Sequence, residues 1–443
     1  MSSVPAELTS VTLAGRVAGV RTTVFAWLHK VILAVLDQGL ISGSNFLTGI
    51  LLARWLAPEE YGGYALAFSI FLLVSQFYMS LLLEPMAVFG GSTYRSRPNG
   101  YLGSLLWIHL GTAIIVFFVL GSFALGARKL GLGGNLPSAL AAVMVAGPCV
   151  LLFWLVRRAF YMDLSPAPAV VGGAFYCFVV LAGLFPIYKL GLLSSLSAFS
   201  LMGFGALLTS VFLLIRLKPT LKLRELSPSL RETYRQHWSY GRWALATSAL
   251  LWIPSNFYFP LLSGYSGMSS AGELKALLNL TLPIANIGTA LSLLFQPHAA
   301  RMFQEQGFSR LRTFSGKVTL LYIAGAGLYW GVLALFRGQA VHFLYGARYA
   351  NLGPLIPWLA IASILQLGIA GPTIGLRAME SPSSVFIACG VSSGVTVVGG
   401  IPLAAAFGLR GVILSMILSS FSCIAVGFVL LNRKEKQVAQ ATA

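Results

Sequence analysis

The side chains of this chain whose types and placement suit chemistry are few, and most sit inside or at the ends of apolar runs. Two are carboxylates, Asp37 and Glu84. A carboxylate in apolar surroundings is pushed toward its neutral form, so it can take up a proton or hold a cation. The other role open to each is pairing with a nearby arginine or capping a helix end. Four are guanidinium groups, Arg54, Arg242, Arg301 and Arg377. Their planar fork meets carboxylate or phosphate oxygens two at a time. For Arg54 the alternatives are to reach along the helix to an interface, or to pair with Glu59 or Glu60. The uncharged set is Ser44, Asn45, Gln76, Asn256, Asn279, Asn286 and Gln296. Hydroxyls and amides both donate and accept, which suits a hydroxyl-rich ligand, but helix packing uses the same groups. No Ser/His/Asp constellation, metal spacing, phosphate loop or dinucleotide fingerprint is present. The five histidines are scattered, and Cys149, Cys177, Cys389 and Cys423 lack paired spacing. The expectation is therefore a protein that is not an enzyme and carries no cofactor or metal.

These residues must be positioned by elements of an unusual composition. Of 443 residues, 57% are hydrophobic and 9% charged, and the mean hydropathy is +0.81. Soluble domains carry about 25% charged residues, so the chain reads as an all-α polytopic membrane protein. Hydropathy predicts twelve spans, the first near 33–56 and the last near 410–431. Each approaches or exceeds the roughly 20 residues a helix needs to cross a bilayer. On the first span, Asp37, Ser44, Asn45 and Thr48 fall on one helical face. On the second, Ser69, Gln76, Ser80 and Glu84 do the same. Polar stripes of this kind face a protein interior or a wet cavity.

Net charge is +18, and its distribution orients the chain. With the N-terminus inside, inward loops carry 22 of the 30 Lys and Arg and outward loops carry 8. Both termini are thus predicted cytoplasmic by the excess of positive charge on that side. The longest polar segment, near 216–242, holds seven of these cations at the centre of the chain. It divides the sequence into an arm at 1–31, a six-helix half at 32–216, a basic linker at 217–239, a second half at 240–431 and a tail at 432–443. Anionic lipid headgroups suit the linker's charge, and so does an ordinary topogenic role; nucleic acid is excluded, since no base-reading element accompanies it.

A weak repeat relates the halves. Ser44-Asn45-Phe46 is echoed by Ser255-Asn256-Phe257, Gly62 by Gly272, and Glu84-Pro85 by Gln296-Pro297, at separations of 210 to 212 residues. A shared offset near half the chain length signals internal duplication. Six spans per half bring both halves in from the same side, with a repeat axis along the membrane normal.

The run SGSNFLTGILLARWLAPEEYGGYALAF followed by LLLEPM resembles the N-terminus of bacterial polysaccharide-biosynthesis membrane proteins. These are the oligosaccharide flippases of the multidrug/oligosaccharidyl-lipid/polysaccharide exporter superfamily. The close resemblance covers 36–91, and a weaker one covers 240–302. It implies two six-helix bundles around a central cavity in the cytoplasmic membrane. It also implies passage of undecaprenyl-diphosphate-linked oligosaccharide to the outer leaflet by alternating access. On that reading, Arg54, Arg242, Arg301 and Arg377 meet the diphosphate, the seven uncharged residues line the glycan path, and Asp37 and Glu84 couple an ion. Lipid-linked oligosaccharide, membrane lipids and other polysaccharide-assembly proteins are the expected partners. The rival readings are a cation-coupled multidrug exporter of the same superfamily, a membrane polymerase and a scaffold.

Overall fold

The computed structural model describes residues 7–131, 135–162, 165–226 and 228–442. Residues 1–6 of the expected arm, and its side chains at 7–28 and 31, lie outside the described residues, as do the tail side chains from 435. Among the described residues the regular elements are all helical. In the first half they are α1 (Glu7–Trp55), α2 (Pro58–Tyr78), a π turn (Met79–Leu83), α3 (Glu84–Gly91), α4 (Pro98–Lys129), α5 (Leu136–Met162), α6 (Ala167–Lys189) and α7 (Ser195–Leu217). In the second they are α8 (Leu230–Asn256), α9 (Tyr258–Tyr265), α10 (Met268–Asn279), α11 (Leu282–Leu335), α12 (Arg337–Tyr345), α13 (Ile356–Gly368), α14 (Ala370–Ala378) and α15 (Pro382–Thr442).

Among the described residues, eight helical stretches are long and apolar enough to cross a membrane. With α1, α8 and a glycine break in each of α11 and α15, the order comes to about twelve passages, in two lobes. The two longest helices of the second half each hold two passages. α11 breaks at Gly307 (φ 75°) and α15 at Gly408 (φ 55°), a left-handed backbone that glycine adopts without steric penalty. Proline-opened helices replace capping side chains in several places, as at Pro58 and Pro98. Bulky apolar side chains such as Phe118, Phe178, Leu328 and Val398 are exposed along the outer flanks. In a bilayer these flanks meet hydrocarbon, so exposure there carries no penalty.

The central linker is firmly attached to the first lobe. Thr220 N–H donates to Asn99 O, Trp107 Nε1 to Leu221 O, and Ser104 Oγ to Pro228 O. The start of α8 continues the attachment. Tyr94 OH donates to Gln236 Oε1 at 2.6 Å. His237 bridges two elements: its Nδ1 donates to Leu81 O in the π turn, and its Nε2 accepts from Tyr101 OH. Further along, Ser80 and Ser248 share a 2.7 Å hydrogen bond, and Trp252 Nε1 donates to Ser69 O. Since Leu250 O also accepts from Ser393 on α15, α8 straddles the seam between the lobes.

His237 lies just before the seventh predicted span, and burial pulls its imidazole down to about 4. Only the neutral ring accepts from Tyr101 while donating to Leu81. A depressed histidine pKa means the folded state binds fewer protons than the unfolded state below about pH 6.5. The stabilisation is therefore complete above pH 6.5 and declines as pH falls from 6.5 toward 4. Thermal unfolding followed across that window should show the wild type losing on the order of 1–3 kcal/mol relative to a His237→Gln variant, which cannot titrate.

Candidate functional site

The candidate site lies where the lobes meet, and at one end of it α2 and α10 cross. Where α1 turns into α2, the first turns of α2 lie against α10. Gly62 packs on the Met268 carbonyl so closely that a Cβ there would overlap the oxygen. Gly272 packs on Pro58, where a Cβ would fall 2.6 Å from the carbonyl oxygen and 3.0 Å from Gly62 N. Pro58 and Met268, like Gly62 and Gly272, are 210 residues apart. The contact is thus one repeat element meeting its own counterpart. Small residues let helix backbones approach this closely and form Cα–H···O contacts.

Side chains fasten the same end. Asn279 on α10 donates to Tyr61 OH at 2.9 Å, and Tyr61 donates in turn to Gly49 O on α1. Tyr345 OH donates to Ala276 O and Tyr329 OH to Leu280 O, bracing α10 from its own lobe. Arg54 donates from Nη1 to Phe343 O at 3.2 Å, and Arg348 donates to Leu56 O, so each lobe sends one guanidinium to a carbonyl of the other.

Beside this crossing stands a half-buried cation. Lys275 follows Gly272 by three residues, and its ammonium stands 5.0 Å from the centroid of the Phe68 ring on α2. It makes no ion pair among the described residues. Phe68 also borders a pocket in the first lobe lined by Asn45, Phe71, Trp154 and Tyr176. An ammonium over an aromatic face is held by the ring quadrupole while its hydrogen-bond donors remain free. At the linker end, between α3 and α8, lies a cavity of about 720 Å³ bordered by Glu84, Phe89, Gln236 and Tyr240.

The structure distributes the sequence-derived residues over three places. Asp37 is buried in the first lobe, where Arg157 Nε approaches its Oδ2 at 3.3 Å and Tyr161 OH donates to the same oxygen at 2.6 Å. Of the roles open to Asp37, pairing with arginine is the arrangement present. Its Oδ1, together with Ser44 Oγ and Thr48 Oγ1 on the same stripe, is buried without a hydrogen-bond partner. Arg54 and Asn279 belong to the closed end. Glu84 lines the linker-end cavity and lies within electrostatic reach of Arg158. Asn45 is exposed and borders the first-lobe pocket. Gln76, Asn256 and Gln296 are half-buried and Asn286 is exposed. Arg242, Arg301 and Arg377 are exposed at the linker-end termini of their passages.

Sequence reading missed Lys275, which counts as an outward-loop charge on hydropathy alone. The signal that marks it is its position three residues after the repeat glycine. Gln236, His237 and Tyr240 were also missed, since they fall in or beside a basic connector.

No protein-family model matches the sequence, and no curated protein matches it. The fold does match solved structures across nearly the whole chain. An inward-facing multidrug resistance MATE family transporter of the MOP superfamily superposes with a TM-score of 0.75 at 15% identity, over 90% of this chain and 96% of that one. An outward-facing MATE family transporter gives 0.62 at 15% identity, over 92% and 95%. The lipid II flippase MurJ, in an inward closed conformation, gives 0.69 at 14% identity, over 91% and 87%. The chain therefore has the two-lobed fold of these transporters.

Two outcomes test this geometry. Gly62→Ala places a methyl group against Met268 O, and overpacking of this kind costs about 1–3 kcal/mol. In a cysteine-free background, Ala276→Cys, buried in the wild type, should then react several-fold faster with a membrane-impermeant maleimide. Asp37→Asn should destabilise the protein by about 3–5 kcal/mol in chemical unfolding, because the Arg157 guanidinium loses its counter-charge. The pair Asp37→Leu with Arg157→Met should recover most of that loss.

Proposed function

We propose that this protein carries a lipid-diphosphate-linked oligosaccharide from the inner to the outer leaflet of the cytoplasmic membrane by alternating access. The observation that carries the reading is Lys275, an unpaired ammonium held over Phe68 beneath a closed helix crossing. An anionic headgroup with attached sugars cannot cross hydrocarbon unaided. A cavity with a fixed cation at its apex replaces the water that such a headgroup gives up, while the lipid tail stays in the bilayer. A cationic drug entering the same space would meet a like charge, so an anionic cargo is favoured over the multidrug reading.

In this proposal the linker end faces the cytoplasm, in keeping with the excess of positive charge there, and the headgroup enters through the 720 Å³ cavity. Opening the far end requires α2 and α10 to part, with Arg54 and Arg348 exchanging carbonyl partners for water or for phosphate oxygens. Arg242, Arg301 and Arg377 then serve at the entrance, where the diphosphate first leaves the interface. Asp37, with one oxygen held by Tyr161 and Arg157 and the other unpartnered, couples a proton or cation in this reading. Other polysaccharide-assembly proteins of the membrane are the partners that would supply and receive the cargo.

The test is a translocation assay in vesicles holding the purified protein and a fluorescent lipid-diphosphate oligosaccharide. Lys275→Ala should reduce the rate at least tenfold, Lys275→Arg should retain most of it, and efflux of a cationic dye should be unaffected. Normal translocation by Lys275→Ala, or dye efflux that improves when the cation is removed, would overturn the proposal in favour of a drug exporter.

A further inference from the structure

The linker-end cavity has a lining of its own, separate from the cationic apex. One wall is α3, which offers the Glu84 carboxylate and the Phe89 ring; the other is α8, which offers Gln236, Ser239 and Tyr240. Phe89 and Tyr240 meet edge to face at 5.9 Å and 74°, giving two aromatic planes at an angle. Glu84 makes no hydrogen bond or ion pair with the described residues, so both carboxylate oxygens can accept. Gln236 has its Oε1 committed to Tyr94 OH, and its amide nitrogen remains a donor. Ser239 adds a hydroxyl that both donates and accepts. At about 720 Å³ the space falls within the range of small-molecule sites, which are mostly apolar with a few placed polar groups.

We propose that this cavity is a carbohydrate subsite, in which a sugar ring lies against Tyr240 and Phe89 while Glu84, Gln236 and Ser239 take its hydroxyls. The inference rests on the reading of the cargo as an oligosaccharide-bearing amphiphile. The lining alternates acceptors and donors around aromatic faces, as a ring carrying several hydroxyls requires. An organic cation would also use a carboxylate and aromatic planes. Against that occupant, the charge of Arg158 already acts on Glu84, and the exposed Arg235 lies on α8 beside the site. Glu84 thereby becomes a sugar-binding group and not an ion-coupling one. The subsite also constrains the cargo. Phe68, beneath Lys275, and Glu84 are sixteen residues apart along α2 and α3, about 24 Å at 1.5 Å per residue. A headgroup that touches both must contain several sugars in a row.

The test uses the full-length protein in lipid nanodiscs and, as probe, the free repeat-unit oligosaccharide released from the host's surface polymer, which carries neither lipid nor diphosphate. Saturation-transfer NMR should detect binding to the wild type. Tyr240→Ala and Gln236→Ala should each weaken it roughly tenfold, Tyr240→Phe should restore it, and Lys275→Ala should leave it unchanged. Thermal unfolding of each variant separates loss of the site from loss of the fold, and Tyr240→Phe serves as the folded comparison if the alanine variant is unstable. Absence of binding to the wild type, or binding indifferent to both alanine variants, would overturn the subsite. So would tetraphenylphosphonium binding that Tyr240→Ala abolishes while sugar fails to bind. The two readings fail separately. Sugar binding without translocation of the lipid-linked form would defeat the transport proposal and leave the subsite standing. Translocation that depends on Lys275 without sugar binding would do the reverse.

Discussion

The structure depends on the contact between two glycines and two carbonyls. Gly62 on Met268 O and Gly272 on Pro58 O bring α2 and α10 into backbone contact, and any side chain at either glycine separates them. The lobes meet at this crossing in a manner set by the repeat, since the element is opposed by its own duplicate. Everything else at that end, from the Asn279–Tyr61–Gly49 chain to the paired arginines, presupposes a separation that only glycine permits. Membrane helices gain little from burying apolar side chains against each other, because lipid is equally apolar. Close backbone approach and hydrogen bonds must therefore specify the interface.

The polar groups follow from the same constraint. A charge inside an apolar lobe persists only with a partner, and Asp37, Arg157 and Tyr161 form such a set. Lys275 is held over the Phe68 ring with no ion pair among the described residues, and Glu84 borders the linker-end cavity within electrostatic reach of Arg158. The difference between the two situations is geometric and small in sequence terms: Asn45 is exposed while its neighbour Ser44 is buried on the same helix. A cation thus stands by the crossing and a carboxylate at the linker-end cavity, with aromatic rings beside each.

The fold class was legible because its causes can be read along the chain without knowing which helices touch. Apolar runs of span length, charge asymmetry across loops and a two-fold repeat each act over a few residues or over the whole chain. The site was legible only in part. Arg157 reads as a positive charge ending a span, yet it turns inward to Asp37, a contact between segments 120 residues apart. Arg54 carries the phosphate-binding fork but meets a backbone carbonyl of the other lobe, and Asn279 belongs to the crossing and not to the cavity wall. Lys275 sits at the edge of a hydropathy window, where a loop residue and a cavity residue score alike. In each case the missing information is which face of a helix turns toward which lobe, and single-sequence periodicity does not encode that.

The attachment of the linker has a mechanical meaning. Sequence places the boundary between the halves at 217–239, but those residues and the first turns of α8 are bonded to the first lobe through Asn99, Ser104, Tyr101 and Leu81. Later residues of α8 touch α15 in the second lobe. A rocking motion of the lobes therefore cannot pivot in the connector, where a flexible tether would put it. It falls on α8 itself, and α8 contains Pro254, which cannot supply one of the helix's own backbone hydrogen bonds. α8 is bonded to the first lobe along most of its length, as far as Ser248 and Trp252, reaches α15 through Leu250, and has Pro254 just beyond these contacts. The duplicated halves are consequently joined unequally, because α8 belongs to the second half in sequence but is bonded along most of its length to the first lobe.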